Sequence, residues 1–180
     1  MTMAIRWRFA NREKAILNQA MEVAEERVSD YFHLSGASWL RHPYQVHIRA
    51  QLMPVEVSSQ ALAQVLKLRR PPLGREYRGK DFFRICLQDH NLLGVVRREG
   101  TAELLLPLLV YVLAHELVHV VRFGCFQHLF EACEPERARE EAVVHGLSRE
   151  ILSPVRLPHL GWVLELYEAQ TTLEYSQSWC

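Results

Sequence analysis

The sequence of 180 residues lacks a net charge and any long, uninterrupted apolar run. Lysine plus arginine and aspartate plus glutamate number 21 each, so no charge excess points to nucleic acid or to an anionic membrane. The first residues contain no apolar signal stretch. The most apolar run, residues 104–121, is interrupted by Pro107 and by a His-Glu pair, which a lipid-facing helix would not tolerate. We therefore expect neither a membrane nor a nucleic-acid partner.

Cysteine is also scarce and widely spaced, with four residues and no CxxC pair. Disulfide frameworks need closely patterned cysteines in an oxidising compartment. We expect free thiols and a cytoplasmic protein.

The composition, 49% hydrophobic and 23% charged, is that of a globular protein of one domain spanning residues 1–180. The charge balance hides an asymmetry. Residues 131–180 hold nine acids against four bases, while residues 1–130 hold twelve acids against seventeen bases. Carboxylates are therefore concentrated near the C-terminal end.

Hydrophobic periodicity divides the chain into two halves. In residues 1–100 it predicts a helix over 11–31 capped by Asn11, a strand over 44–52, a short helix from Ser58 or Ser59 to Leu68, and a hairpin of strands 82–88 and 92–97. Proline and glycine predict a turn over 36–43 and a loop over 67–80. In residues 101–180 the prediction is helical, from Ala102 or Pro107 to Arg122, from Pro135 to Leu152, and from Pro158 towards Tyr175. The expected class is α+β, a small, mostly N-terminal sheet packed against helices.

The strongest motif is His115-Glu116-Leu117-Val118-His119, an HExxH sequence inside a predicted helix. Positions four apart share a helix face, so His115 and His119 can bind one metal ion. Glu116 then lies beside the ion and can take a proton from water without being a ligand. This division of roles indicates a zinc hydrolase with one Zn²⁺ per chain.

Zinc in a catalytic site needs a third protein ligand and leaves its fourth position for water. The acidic helix that begins at Pro135 offers three candidates, and the pattern alone does not choose among them: Glu140, Glu141 and His145. Glu136 is a weaker choice, because an acid near a helix start is explained by the helix dipole. Arg122 is expected to form a surface ion pair with an acid of residues 131–141.

An HExxH motif followed by a glutamate on a later helix resembles the arrangement in the gluzincins, the thermolysin-like zinc metallopeptidases. Their ligand glutamate stands in an ExxxD pattern some twenty residues past the second histidine, and Glu141 to His145 matches it with His in place of Asp, 22 residues beyond His119. The resemblance covers residues 107–152. It implies a minimal zincin-like fold, with His115, His119 and Glu141 as ligands, Glu116 as general base and His145 as a hydrogen-bond partner of a ligand histidine.

The same resemblance implies two further features. An edge strand upstream of the active-site helix would bind substrate backbone, with the strand ending near Arg97 or the strand over 44–52 as candidates. A tyrosine or histidine from the C-terminal part would stabilise the transition state, with His159 and Tyr167 as candidates.

These expectations describe a zinc metallopeptidase that acts on a peptide or protein substrate. One alternative is a non-catalytic, zinc-binding regulatory or interaction module on the same scaffold. Another is a DNA-associated stress-response protease that uses the basic segment 67–80. Specificity and oligomeric state are not encoded in these motifs.

Overall fold

The computed structural model describes residues 7–69, 81–125 and 134–167. It is an α+β fold in which helices pack on a small sheet. The helices are α1 (Asn11–Phe32), α2 (Gly36–Arg41), α3 (Asp89–Glu99), α4 (Leu105–Gly124), α5 (Glu134–Leu152) and the helical residues 160–167, here α6. The strands are β1 (Tyr44–His47), β2 (Ala63–Arg69) and β3 (Asp81–Leu87).

The three strands form one sheet in the order β1-β3-β2, with β1 parallel and β2 antiparallel to the central strand β3. Alternate residues of β3, namely Phe83, Ile85 and Leu87, are buried. The Phe83 ring stacks on Phe123 of α4, at a centroid distance of 6.4 Å. Because alternate residues of a strand point to the same face, the face that carries Phe83 packs on α4. Cys86, on the opposite face of β3, is buried as well.

Helix α4 is the centre of the core. Every residue from Leu108 to Val121 is buried, and α1 lies along it through a stripe of four buried residues, Leu17, Ala20, Ala24 and Val28. Over Ala102–Gly124 the helical segment is apolar enough to span a membrane by composition, with a mean hydropathy of 2.0. However, 94% of that apolar window is buried inside the protein, as in a core helix.

The long helices agree closely with their predicted limits. Helices α1 and α5 match to within one residue, and α4 follows a 3-10 turn over Ala102–Leu104, with Pro107 in its first turn. The cap of α1 was predicted wrongly. Asn11 is the first helical residue, and the N-cap is Ala10, whose N–H donates to the Glu13 carboxylate at 2.9 Å.

Two predicted elements are of the wrong type. The 58–68 helix is instead strand β2, because Ala63–Arg69 pairs antiparallel with β3 along its whole length. Ser58 forms a local turn, in which its hydroxyl accepts the N–H groups of Gln60 and Ala61. The second hairpin strand, 92–97, is instead helix α3, which ends at Gly100 in the left-handed conformation (φ 72°).

Two further segments differ in extent or type. The predicted turn at 36–43 contains helix α2. The predicted strand 44–52 ends at His47, because the N–H of Arg49 leaves the ladder and donates to the Asp89 carboxylate at 3.0 Å. The basic residues 70–80, Cys133, Cys180 and the end of the third C-terminal helix beyond 167 lie outside the described residues.

Candidate metal centre

His115, Glu116 and His119 lie on α4 where it faces the cleft, and all three are buried. The four-residue spacing places both imidazoles on one face, as the sequence predicted. Their Nε2 atoms are 3.2 Å apart. Two imidazoles that meet nitrogen to nitrogen inside an apolar helix need a common partner, because unsatisfied polar groups are costly to bury.

Glu141 of α5 provides that partner. Its Oε2 lies 3.3 Å from His115 Nε2 and its Oε1 lies 3.1 Å from His119 Nε2. The contact between the two imidazole nitrogens and the contact of each histidine with its own Glu141 oxygen are therefore 3.1–3.3 Å long. In a tetrahedral site with bonds of about 2.0 Å, neighbouring donors lie about 3.3 Å apart. The three contacts are close to that spacing.

Electrostatics couple these groups. Partial burial opposes ionisation of Glu141, but the hydrogen bonds from His115 and His119 outweigh it and hold the pKa of Glu141 well below its usual range. Burial alone would lower the pKa of His119, but the hydrogen bond to Glu141 and the charge of Glu116 raise it. The carboxylate of Glu141 is thus ionised at neutral pH, the state that a metal ligand requires.

Glu116 is held differently from Glu141. Burial raises the pKa of Glu116 above its usual range, although the charges of His115 and His119 act in the opposite direction. A carboxylate with a raised pKa is a stronger proton acceptor than an ordinary one. Of these two carboxylates, Glu116 therefore takes up a proton more readily and Glu141 keeps its charge.

His145 is a third imidazole at the same place. Its ring centroid lies 4.5 Å from that of His115, and His115, Glu141 and His145 offer donor atoms within 4.8 Å of one another. This group could hold a metal ion. Burial, and then the charge of His115, lower the pKa of His145 to about 4, which keeps the ring neutral at neutral pH.

Tyr111 is a site residue that the sequence analysis missed. Its hydroxyl lies 2.5 Å from His145 Nδ1, and its ring is stacked on that of Tyr167 at 4.8 Å. The one available signal was its position four residues before His115, on the same helix face. The pattern could not separate a tyrosine at a site from a tyrosine in the core.

Glu140, the competing ligand candidate, is engaged elsewhere. Both of its carboxylate oxygens contact Arg122, at 2.5 and 2.8 Å. The predicted pairing of Arg122 is therefore present. It is not a surface pair, because the Glu140 side chain is only 5% exposed and that of Arg122 only 17%.

The imidazoles open onto a cleft of about 1010 Å³. The cleft is bounded by β2 and the residues before it, by α3, and by the donor-bearing faces of α4 and α5. Tyr167, one of the two transition-state candidates, lines this cleft. His159 does not line it, and its ring lies 3.7 Å from Glu103 instead.

No relative supports or corrects this geometry. Comparison of the chain with protein-family models, with curated proteins and with solved structures finds no match. Function is therefore inferred from the side chains themselves, and above all from the contacts among His115, His119 and Glu141.

Proposed function

We propose that this protein is a zinc metallopeptidase similar to the gluzincins, with one Zn²⁺ held by His115, His119 and Glu141. The observation that supports it most is the set of donor separations, 3.1–3.3 Å, among two imidazole nitrogens and one carboxylate. Nitrogen and carboxylate donors in a His₂Glu set suit zinc in a catalytic site. The zincin-like fold is part of the same proposal.

A bound zinc ion supplies a Lewis acid that polarises the peptide carbonyl and lowers the pKa of water to about 7. Glu116 accepts one proton on its carboxylate as water oxygen attacks the carbonyl carbon. When the C–N bond breaks, Glu116 returns that proton to the amine nitrogen, so the carboxylate is regenerated. The raised pKa of Glu116, caused by burial, suits both the uptake and the return of the proton.

The substrate backbone would lie along β2. Within the described residues β2 pairs with β3 on one side only, and residues Ala61 to Leu66 line the cleft. An extended peptide can add to such an edge as a further strand. The two strands that the sequence analysis suggested for this role are unsuitable, because residues 92–97 are helical and β1 forms the opposite edge of the sheet.

Two observations favour hydrolysis over the alternatives. A non-catalytic module has no need of a buried base, and the open cleft gives a substrate access to Glu116. Within the basic segment 67–80, the residues that the structure describes do not favour DNA binding. Lys67 and Arg69 lie 3.3 and 3.4 Å from Asp81, which offsets part of their charge.

The proposal is tested with Glu116→Gln in the zinc-loaded, full-length protein. We expect hydrolysis of a mixture of unstructured peptides to fall by about 10²–10⁴-fold, because the base is lost, while zinc content stays at the wild-type value. Glu136→Gln, at an exposed position on α5, is the matched control and should change neither quantity. Unchanged hydrolysis in Glu116→Gln would contradict the proposed function.

A further inference from the structure

The candidate metal centre contains one more imidazole than the proposed reaction uses. His145 lies on α5 one helical turn after Glu141, so both side chains point to the same side of that helix. The donor atoms of His145, His115 and Glu141 lie within 4.8 Å of one another. These distances therefore exceed the donor spacing of about 3.3 Å in a tetrahedral site by at most about 1.5 Å, which a side-chain rotation can close.

Tyr111 determines which nitrogen of His145 is available. Because Nδ1 is bonded to the Tyr111 hydroxyl, the nitrogen that a metal can use is Nε2. Metal-ligating histidines almost always bond their second nitrogen to an outer partner of this kind. Within the described chain, the buried Nδ1 atoms of His115 and His119 have no hydrogen-bond partner. Of the three imidazoles, His145 is thus the one whose Nδ1 has an outer partner.

We propose that His145, positioned by Tyr111, is a fourth protein donor to the metal, so that the resting site is closed and the enzyme is latent. This inference rests on the proposed function, because it assumes the metal held by His115, His119 and Glu141. Zinc with four protein ligands has no open position for water, as in structural sites. Hydrolysis then requires His145 to leave.

The position of the pair in the cleft provides a means of release. Tyr111 and His145 both line the cleft that would take the substrate. A peptide that fills the cleft contacts the Tyr111–His145 pair directly. Displacing His145 breaks one donor bond and leaves the other three donors in place. Substrate binding and opening of the metal site are thereby coupled.

The first test needs no variant. X-ray absorption of the zinc-loaded wild-type protein should count three imidazoles per zinc, and His145→Ala should leave two. By chelator competition, we expect the zinc affinity of His145→Ala to fall by at least the roughly 10–100-fold that loss of an outer partner of a ligand costs. At saturating zinc, its hydrolysis of unstructured peptides should rise severalfold, because the closed state is lost.

Tyr111→Phe isolates the positioning role, since it keeps the ring stacked on Tyr167 and removes only the hydroxyl. We expect a smaller loss of zinc affinity and a changed visible spectrum of the Co²⁺-loaded protein. Tyr31→Phe is the matched control, because it removes a hydroxyl bonded to Glu150 on the same helix α5. It should leave both measurements at wild-type values.

Two imidazoles per zinc in the wild-type protein would overturn the inference. So would a loss of hydrolysis in His145→Ala at unchanged zinc affinity, which would make His145 a donor to the reacting carbonyl instead. In both cases peptide hydrolysis by the wild type would leave the proposed function intact. If the wild type binds no zinc, the proposed function fails together with this inference.

Discussion

Arg122 and Glu140 form a two-pronged ion pair between α4 and α5, with Nε 2.5 Å from Oε1 and Nη2 2.8 Å from Oε2. The hydrogen bond to Glu140 raises the pKa of Arg122, so the guanidinium stays charged. Glu140 directly precedes Glu141. The pair therefore links α4 to α5 at the position directly before Glu141.

Breaking this pair should affect both stability and metal binding. Arg122→Ala leaves the Glu140 carboxylate buried without its guanidinium, and we expect the free energy of unfolding to fall by about 3–5 kcal/mol in urea titrations. Zinc affinity should fall as well, because Glu141 loses its fixed position. Arg27→Ala removes an exposed pair with Asp30 and should cost less than about 1 kcal/mol. Equal effects of the two variants would contradict this role of Arg122.

Asp89 should be a second determinant of stability. Its buried carboxylate accepts the N–H of Phe9 at 2.9 Å and the N–H of Arg49 at 3.0 Å, so it joins three distant segments. Asp89→Ala leaves both donors unsatisfied, and we expect a loss of about 3 kcal/mol in the free energy of unfolding. Asp81→Ala, at a half-exposed pair, should cost about 1 kcal/mol or less. If Asp89→Ala lowered the free energy of unfolding no more than Asp81→Ala does, the role assigned to the two hydrogen bonds of Asp89 would be contradicted.

Asp89 also explains why parts of the fold escaped the sequence analysis. The helices α1, α4 and α5 are long, and each carries its own apolar period, so local pattern suffices to predict them. The type of α3 and the end of β1 depend instead on contacts between segments 40 residues apart, such as Asp89 with Arg49. Short apolar runs like Leu92–Val96 fit either a strand or a helix.

Of the candidate site, too, one part could be predicted from local sequence and another part could not. The HExxH spacing places His115, Glu116 and His119 together on any helix, so this part was predictable. Glu140 and Glu141 are adjacent, and their different partners, Arg122 for Glu140 and the histidines for Glu141, lie across the helix interface, where the sequence pattern gives no information. Tyr111 joins the site through the hydrogen bond between its hydroxyl and His145 of α5. The sequence pattern of α4 alone does not indicate such a contact with another helix.

Acid should destabilise the protein through Glu56. The hydrogen bond from the Met53 N–H lowers the pKa of this buried carboxyl, whereas burial acts in the opposite direction. Arg84, whose guanidinium lies 2.8 Å from the carboxylate, lowers the pKa further. A carboxyl whose pKa is lowered by folding contributes its full stabilisation at pH values above its pKa in the unfolded chain, about 4.3. This stabilisation is lost as the pH falls through the pKa of the folded state.

We therefore expect Glu56→Gln to be less stable than wild type at pH 7 and to approach wild type as pH falls below about 4. The measurement is the free energy of unfolding by urea across this pH range. Glu22→Gln, at an exposed position on α1, is the control and should follow the wild-type profile. A Glu56→Gln deficit that stays constant down to low pH would contradict the assigned cause.

The metal content of the 180-residue chain after zinc loading and desalting tests directly whether His115, His119 and Glu141 hold zinc. We predict one zinc per chain for the wild type, and loss of bound zinc in His119→Ala and in Glu141→Gln, because each removes a donor of the proposed set His115, His119 and Glu141. His33→Asn, which alters an exposed histidine outside the site, should retain one zinc. A wild-type protein that retains no zinc, or variants that retain as much as wild type, would contradict the account.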